Sequence, residues 1–365
     1  AYEDLTVNVT LLGGGFGRKS KGDYATEAAL LSQKIGAPVK VQWTREDDIR
    51  HSFYHTTSVE RIDIGLDADN KPVAWRHRSA APSFLSTFAP DSGEMHPVEV
   101  GMGLADMPYD IANIRCEDCK AMAHTRVGWY RSVSNIPRAF AVQSITAELA
   151  DELGRDQKDM LLEMIGEPRV LDLAASGMPE GFWNYGEPYE EFPNDTGRLR
   201  NVVELAAQKA GWGKSLPEGE ALGIAVHRSF VSYVATVVHA RVDSDGTVRV
   251  PETHVAIDCG FAANPERIRS QIQGACVFGM SAAMYGGITY ENGRVVESNF
   301  HDYQMVRSDN FPEVVYTHIV PHSFETHSTG VGEPGVPPFI PALTNAIFNA
   351  TGKRVRDLPI GDQLA

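Results

Sequence analysis

Leu5 to Leu12 is an apolar run that reads as a strand; it enters a glycine-rich turn, GGGFGRKS at 13–20, and a run with helical spacing, Ala25 to Ile35, leaves it. Residues 39–43, VKVQW, alternate as a second strand, and two further strands flank a turn at Asp67-Ala68-Asp69-Asn70. A Pro- and Gly-rich stretch from 82 to 108 precedes AFAVQSITAELADELGRD, whose apolar residues recur at helical spacing up to Gly154. Residues 165–198 hold many Gly, Pro and acidic residues without a period and read as a connection. Beyond it come a helix, LRNVVELAAQKAGW, and a set of strands with a hairpin signal at Asp243-Ser-Asp-Gly246. A strand then runs into Cys259-Gly260, Asn264-Pro265 opens a helix, and a last helix spans Pro341 to Gly352. The order predicts an α+β fold of several subdomains, with mixed sheets, packed helices and at least one crossover.

The length of 365 residues exceeds what a single core usually organises, so two or more subdomains are expected. A formal charge of -15 opposes nucleic acid and anionic membrane surfaces as partners, because phosphate binding needs clustered Lys and Arg. No apolar run approaches the ~18 residues that span a bilayer. These residues show no signal-peptide pattern, but a chain that opens on a strand almost without a lead-in is expected to be truncated or processed, so missing targeting information means little. Cys116 and Cys119 form a lone CxxC, with Cys259 and Cys276 far away; a zinc or iron–sulfur site needs four ligands, so a local disulfide or two ordinary thiols is expected.

Four stretches carry candidate chemistry. GGGFGRKS is one glycine short of a phosphate loop, since Arg18 stands where the second glycine belongs. Its glycines permit close backbone approach to an anion or oxo group, and a tight turn without a ligand is the plain alternative. In GWYRSV, Arg131 follows Trp129 and Tyr130 on a loop entering the strong helix, where a fixed guanidinium suits an anion or a polar cofactor edge; a surface Arg over aromatic packing is the alternative. Glu333 lies between Gly332 and Pro334, with further prolines at 337, 338 and 341. Rigid flanks fix the direction of a carboxylate, as a general base requires; a solvent-exposed Glu in a Pro-rich loop is the plain alternative. Gln271 and Gln273 sit among small and apolar residues of one helix, where a buried amide needs a partner such as a ligand edge; a Gln on the wet face is the plain alternative.

Together, GGGFG, WYRSV, NPERIRSQIQG and GVGEPGVPPFIPALTNAIFNATGKRVRDLPI, in this order, resemble the molybdenum-binding large subunit of the xanthine dehydrogenase and aldehyde oxidase superfamily. The closing motif and VKVQWTREDD are most similar to the isoquinoline 1-oxidoreductase beta-subunit type, C-terminal half. The resemblance implies a molybdopterin-binding fold divided into 1–160 and 199–365 with a connection at 161–198, and molybdenum held by a pterin dithiolene in its cytosine dinucleotide form. Gly15, Phe16 and Gly17 would face the metal's oxo group. Arg131 would contact the cofactor beside the metal, Gln271 its pterin or pyrophosphate, and Gly330, Val331 and Gly332 would offer it backbone N–H groups. Glu333 matches the catalytic base, and Trp129 and Tyr130 are candidates for the substrate pocket. No side chain is expected to ligate the metal directly.

The implied activity is oxidation of an aldehyde to a carboxylic acid, or hydroxylation of an N-heterocycle, with water as the oxygen source. Ser20 stands where purine-oxidising members carry a substrate-binding Glu, which argues against a purine. The family's large subunit is about twice this length, and a GQG-type cofactor loop of its preceding half has no counterpart here. A separate or processed N-terminal half is therefore expected as a partner, with a small subunit carrying the 2Fe-2S clusters and a cytochrome c or quinone chain as acceptor. That places the protein in the bacterial periplasm or on its membrane face, with the cytoplasm as alternative. The competing readings are a non-catalytic nucleotide- or phosphate-binding module and a scaffold half of a multi-subunit assembly.

Overall fold

The computed structural model describes all residues except 1, 2, 4, 90–92, 174, 176 and 179–181. A short 3-10 turn at Arg18–Ser20 leads to α1 (Asp23–Ile35), which Gly36 closes with φ 72°, the left-handed conformation that commonly ends helices. In α2 (Arg45–His51) the Thr44 hydroxyl accepts the Asp47 N–H and the Asp47 carboxylate accepts the Thr44 N–H, a reciprocal cap. After β1 (Tyr54–His55), strands β2 (Val59–Leu66) and β3 (Pro72–Ala80) pair antiparallel about the expected turn, where Asn70 has φ 60°. The short α3 (Pro97–Val100) precedes β4 (Asn113–Cys119), parallel to β3, and β5 (Val127–Gly128), parallel to β1.

The second run begins with α4 (Asn135–Glu152), α5 (Gln157–Ile165) and α6 (Thr196–Ala210). Strands β6 (Glu220–Ser229), β7 (Ser232–Val242) and β8 (Val248–Asp258) form an antiparallel meander, then α7 (Pro265–Met284) crosses over. A minimal ladder of β9 (Tyr290–Glu291) and β10 (Arg294–Val295) precedes β11 (Val314–Ile319) and α8 (Phe339–Thr351). The sheet order is β11-β8-β7-β6, with β11 parallel to β8.

This sheet is covered on both faces, which is why β7 is buried from Ser232 to Ala240 and reads as a nearly continuous apolar run. Val234, Val238 and Ala240 pack with α7 and α8, whereas Tyr233, Ala235 and Val237 face α6. At Gly223 a Cβ would lie 2.2 Å from the Ala346 amide nitrogen, so only glycine lets α8 approach the sheet this closely. The mixed sheets and packed helices agree with the expected α+β class.

Several expectations differ in detail. Residues 5–12 and 39–43 are extended but pair with no described strand, because the chain places no strand beside them. The strong helix starts at Asn135, four residues before Ala139, and α8 starts two residues before Pro341. Helix α5 runs to Ile165, inside the expected 161–198 connection, and between 166 and 195 the described residues hold only an isolated bridge, Val170 to Asp195. Cys116 and Cys119 are free thiols on β4. Among the described residues no group of three or more His, Cys, Asp and Glu could hold a metal, and no helix is long and apolar enough to cross a membrane.

Candidate functional site

Three distant segments converge ahead of α8. The polypeptide leaving β11 is stitched across the ends of the central strands: Phe261 N–H donates to Thr326 O, Thr329 N–H to Cys259 O, and Gly330 N–H to Phe230 O at 3.1 Å. The Ser232 hydroxyl donates to Gly330 O at 2.6 Å, which fixes the same loop from β7. Beyond it, Pro334 to Pro338 are buried and run directly into α8, so Glu333 stands on a rigid lead into a core helix.

Arg131 is 4% exposed, which overturns the reading of a surface guanidinium. Its Nε donates to Gly332 O at 2.6 Å, and its Nη2 donates to Gln271 O at 3.0 Å and Gln271 Oε1 at 3.1 Å. Ser132 completes the tie: its N–H donates to Glu333 Oε1 at 2.9 Å, and its hydroxyl to Glu333 O at 2.7 Å. Ser132 and Val133 hold φ of 80° and 50°, a conformation non-glycine residues rarely adopt, so the surrounding bonds must over-determine this turn. No hydrogen bond from the described residues reaches Glu333 Oε2. Burial raises the Glu333 carboxyl above its ordinary 4.5, opposed by the Ser132 N–H and the Arg131 charge; burial likewise lowers Arg131 from its very high ordinary value.

The glycine loop approaches from the other side. Phe16 stacks on Phe278 with centroids 6.4 Å apart, and the Arg131 guanidinium lies 5.9 Å from the Phe16 ring. Gly17, at φ 93°, sits so close to Trp129 that a Cβ would fall 2.3 Å from the Trp129 carbonyl oxygen. The Lys21 ammonium rests 3.4 Å from the Trp129 ring centroid, and burial with the nearby Arg18 charge lowers it to about 8. Arg18 is held by Asp23 through two bonds of 2.8 Å. In a phosphate loop the helix opens directly behind Lys-Ser; here Lys21 and Gly22 intervene before α1.

Gly15, Phe16, Gly17, Arg131, Gln271, Val331, Gly332 and Glu333 thus border one region. Gly330 borders it too, but its N–H is already taken by Phe230, so it has no amide to offer a ligand. The amides of Phe16, Gly17, Val331 and Gly332 donate to no described group of the chain, and a Cβ at Gly332 would meet nothing within 4 Å. Gln271 and Gln273 are exposed rather than buried, since that face of α7 looks outward. Tyr130 packs against Phe278 at 5.2 Å and His55 at 3.8 Å, while Trp129 packs on Phe84 at 5.2 Å; both rings buttress the segment.

Sequence reasoning passed over Ser132, although its place directly after Arg131 was a signal. It also passed over Phe230-Val231, the two-residue turn of the β6–β7 hairpin, where both residues have positive φ without the Asn or Gly that usually announces it.

Free amides and a buried guanidinium form a donor set for an anionic, oxygen-rich group, with a fixed carboxylate as proton acceptor beside it. The chain belongs to the molybdopterin cofactor-binding family. Two family models, both described as Molybdopterin cofactor-binding domain, match residues 1–162 and 198–312.

Among curated relatives, the membrane-bound aldehyde dehydrogenase [pyrroloquinoline-quinone] of Gluconacetobacter polyoxogenes is 30% identical over 96% of this chain and 45% of that protein. Isoquinoline 1-oxidoreductase subunit beta of Brevundimonas diminuta is 27% identical over 100% of this chain and 44% of that one. The chain therefore spans less than half the length of these relatives. Among solved structures, quinoline 2-oxidoreductase from Pseudomonas putida 86 matches with TM-score 0.74 and 12% identity, over 96% of this chain and 67% of that one. Aldehyde oxidoreductase from Desulfovibrio gigas matches with TM-score 0.73 and 14% identity, over 96% and 53%. At these identities the likeness establishes the fold.

Gly17→Ala is expected to destabilise the chain by about 2 kcal/mol, because it adds a collision with backbone to an unfavourable φ. Urea unfolding measures it, and molybdenum content per chain of the assembled protein should fall with it. An unchanged midpoint and metal content would show that the glycine loop does not depend on this contact.

Proposed function

We propose that this chain is the base-carrying part of a molybdenum hydroxylase that oxidises an aldehyde to a carboxylic acid or hydroxylates an N-heterocycle. The single observation that supports this most is Glu333: one oxygen fixed by Ser132 N–H, the other free, beside Arg131 and unpaired amides. The donor set fits a pterin-bound molybdenum centre, for which the cytosine dinucleotide form is our reading. When bound, that group supplies the two-electron redox chemistry.

The chain's own part is positioning and proton transfer. The unpaired amides of Phe16, Gly17, Val331 and Gly332 would hold the bound group by hydrogen bonds, and Arg131 holds the Gly332 and Gln271 carbonyls that aim the two sides at each other. Gln271 Oε1 is taken by Arg131, which leaves its NH2 group for the cofactor. Glu333 Oε2 accepts the proton of the attacking water while Oε1 stays on Ser132. The cofactor-binding portions are 1–160 and 199–365, joined by 161–198. The partners are a polypeptide for the uncovered part of the large subunit, a small 2Fe-2S subunit and a cytochrome c, in the periplasm.

Mass spectrometry of the intact purified assembly with metal analysis tests this reading. Molybdenum, a releasable cytidine nucleotide and a second chain are expected; an assembly without molybdenum would sink it. A pH profile gives an independent check. Glu333 must be ionised to act, so kcat/KM should fall on acidification along a limb centred above 4.5, the carboxyl's ordinary value. The stability linkage has the opposite sense: a raised carboxyl favours the fold below the unfolded value and loses that contribution as pH rises through the raised one. An acid limb at or below 4.5 would exclude Glu333 as the group seen.

A further inference from the structure

The inference rests on the proposal that a second polypeptide completes the site, and it names the face that polypeptide occupies. Residues 5–43 have the sequence pattern of a strand–turn–helix–strand unit, but 5–12 and 39–43 belong to no sheet. Leu5, Val7, Val9 and Leu11 alternate with Thr6, Asn8 and Thr10, the pattern of a strand with one covered face, yet they are 67, 80, 90 and 104% exposed. Residues 5–12 and 38–43 make no backbone–backbone hydrogen bond with any described residue, each other included. Helix α1 buries no residue at all, and Tyr24, Leu30, Leu31 and Ile35 are exposed on it.

Unpaired strand edges beside apolar side chains are a template for strands from another chain. Two strands joined by a single helix pair parallel when they share a sheet, and such sheets are covered; the described residues supply no sheet for these two segments. We propose that residues 5–12 and 39–43 are docking strands for the polypeptide corresponding to the part of the large-subunit relatives that this chain leaves uncovered, which lays its own strands along them. More than half of those relatives' length lies outside the match, ample for such strands.

A second copy of this chain suits the face poorly. Residues 5–43 carry five basic and two acidic side chains within a chain of net charge -15, so two paired copies would set like charge against like. The glycine loop hangs between the two docking strands, and Phe16 and Gly17 reach Phe278 and Trp129 from it. Occupation of the strands therefore sets the position of the loop, and cofactor retention depends on the partner through residues that never touch the cofactor.

The test compares hydrogen exchange of the chain purified alone with that of the chain co-purified with that polypeptide, in wild type and in the Val7→Lys/Val9→Lys variant. Amides of 5–12 and 39–43 should exchange freely in the isolated chain and slow by at least about 100-fold in the assembly. The double variant should melt like wild type when isolated, since neither side chain is buried, and bind its partner at least about 30-fold more weakly. An assembly in which these amides stay fast, or which the double variant forms equally well, overturns the docking strands and leaves the partner proposal standing. A wild-type chain that never associates with that polypeptide refutes both. An isolated wild-type chain that dimerises, with the dimer lost in the double variant, puts a second copy on this face and overturns the proposal.

Discussion

Glu333→Gln is expected to lower kcat of the assembled, molybdenum-replete protein by about 10³-fold, the range of a lost general base. The substitution preserves shape, and the Gln carbonyl oxygen can still accept the Ser132 N–H, so the loop and α8 should keep their places. Metal content and thermal midpoint should therefore stay at wild-type values, while the acid limb attributed to Glu333 disappears. Rapid mixing with an aldehyde under anaerobic conditions isolates the reductive half-reaction from electron exit. A variant that keeps more than a tenth of the wild-type rate would remove Glu333 from the chemistry.

Gly260→Ala should be the most damaging small substitution near the site, at about 3 kcal/mol. Gly260 has φ 65°, and a Cβ there would lie 1.8 Å from the His327 carbonyl oxygen, a backbone atom that cannot swing aside. The flanking bonds, Thr329 N–H to Cys259 O and Phe261 N–H to Thr326 O, hold the lead toward Glu333 against the end of β8. Urea denaturation should show the loss, and surviving folded protein should have reduced turnover because the lead has shifted. A change below 1 kcal/mol would mean that the 326–330 loop is free to move.

What the sequence displayed was local. The helices around 25–35, 139–152, 199–210 and 341–351 followed from apolar spacing, with Gly36, Gly211 and Gly352 as left-handed stops. The turns at Asn70 and Gly246 followed from turn chemistry. The segments 5–12 and 39–43 have strand patterns and no strand pairing, because alternation reports a wish for a sheet and cannot report who provides it. The short α2 was announced by Thr44 and Asp47 at capping-box spacing, too small a signal beside the neighbouring strand patterns.

The site was legible through motifs more than through physics. Glu333 between Gly and Pro suggested a directed carboxylate, but its partner Ser132 lies across the chain, and no spacing rule connects the two. Small and apolar neighbours on α7 leave it open whether Gln271 is buried or on the wet face; the helix turns that residue outward. Gly330 was expected to offer an amide that the strained Phe230-Val231 turn had already claimed, a turn whose residues give no hint of positive φ.

The bonds from Arg131 to Gly332 and from Ser132 to Glu333 each join residues 201 positions apart. Closing so long a loop is entropically unfavourable until most of the intervening chain has folded, and such contacts form late. Helix α8 closes the same long loop when it packs on α4, where the Asn345 side chain donates to Gln143 O across 202 positions, so the base acquires its aim together with the docking of that helix. A chain in which α8 has not docked on α4 carries every residue of the site without the site itself.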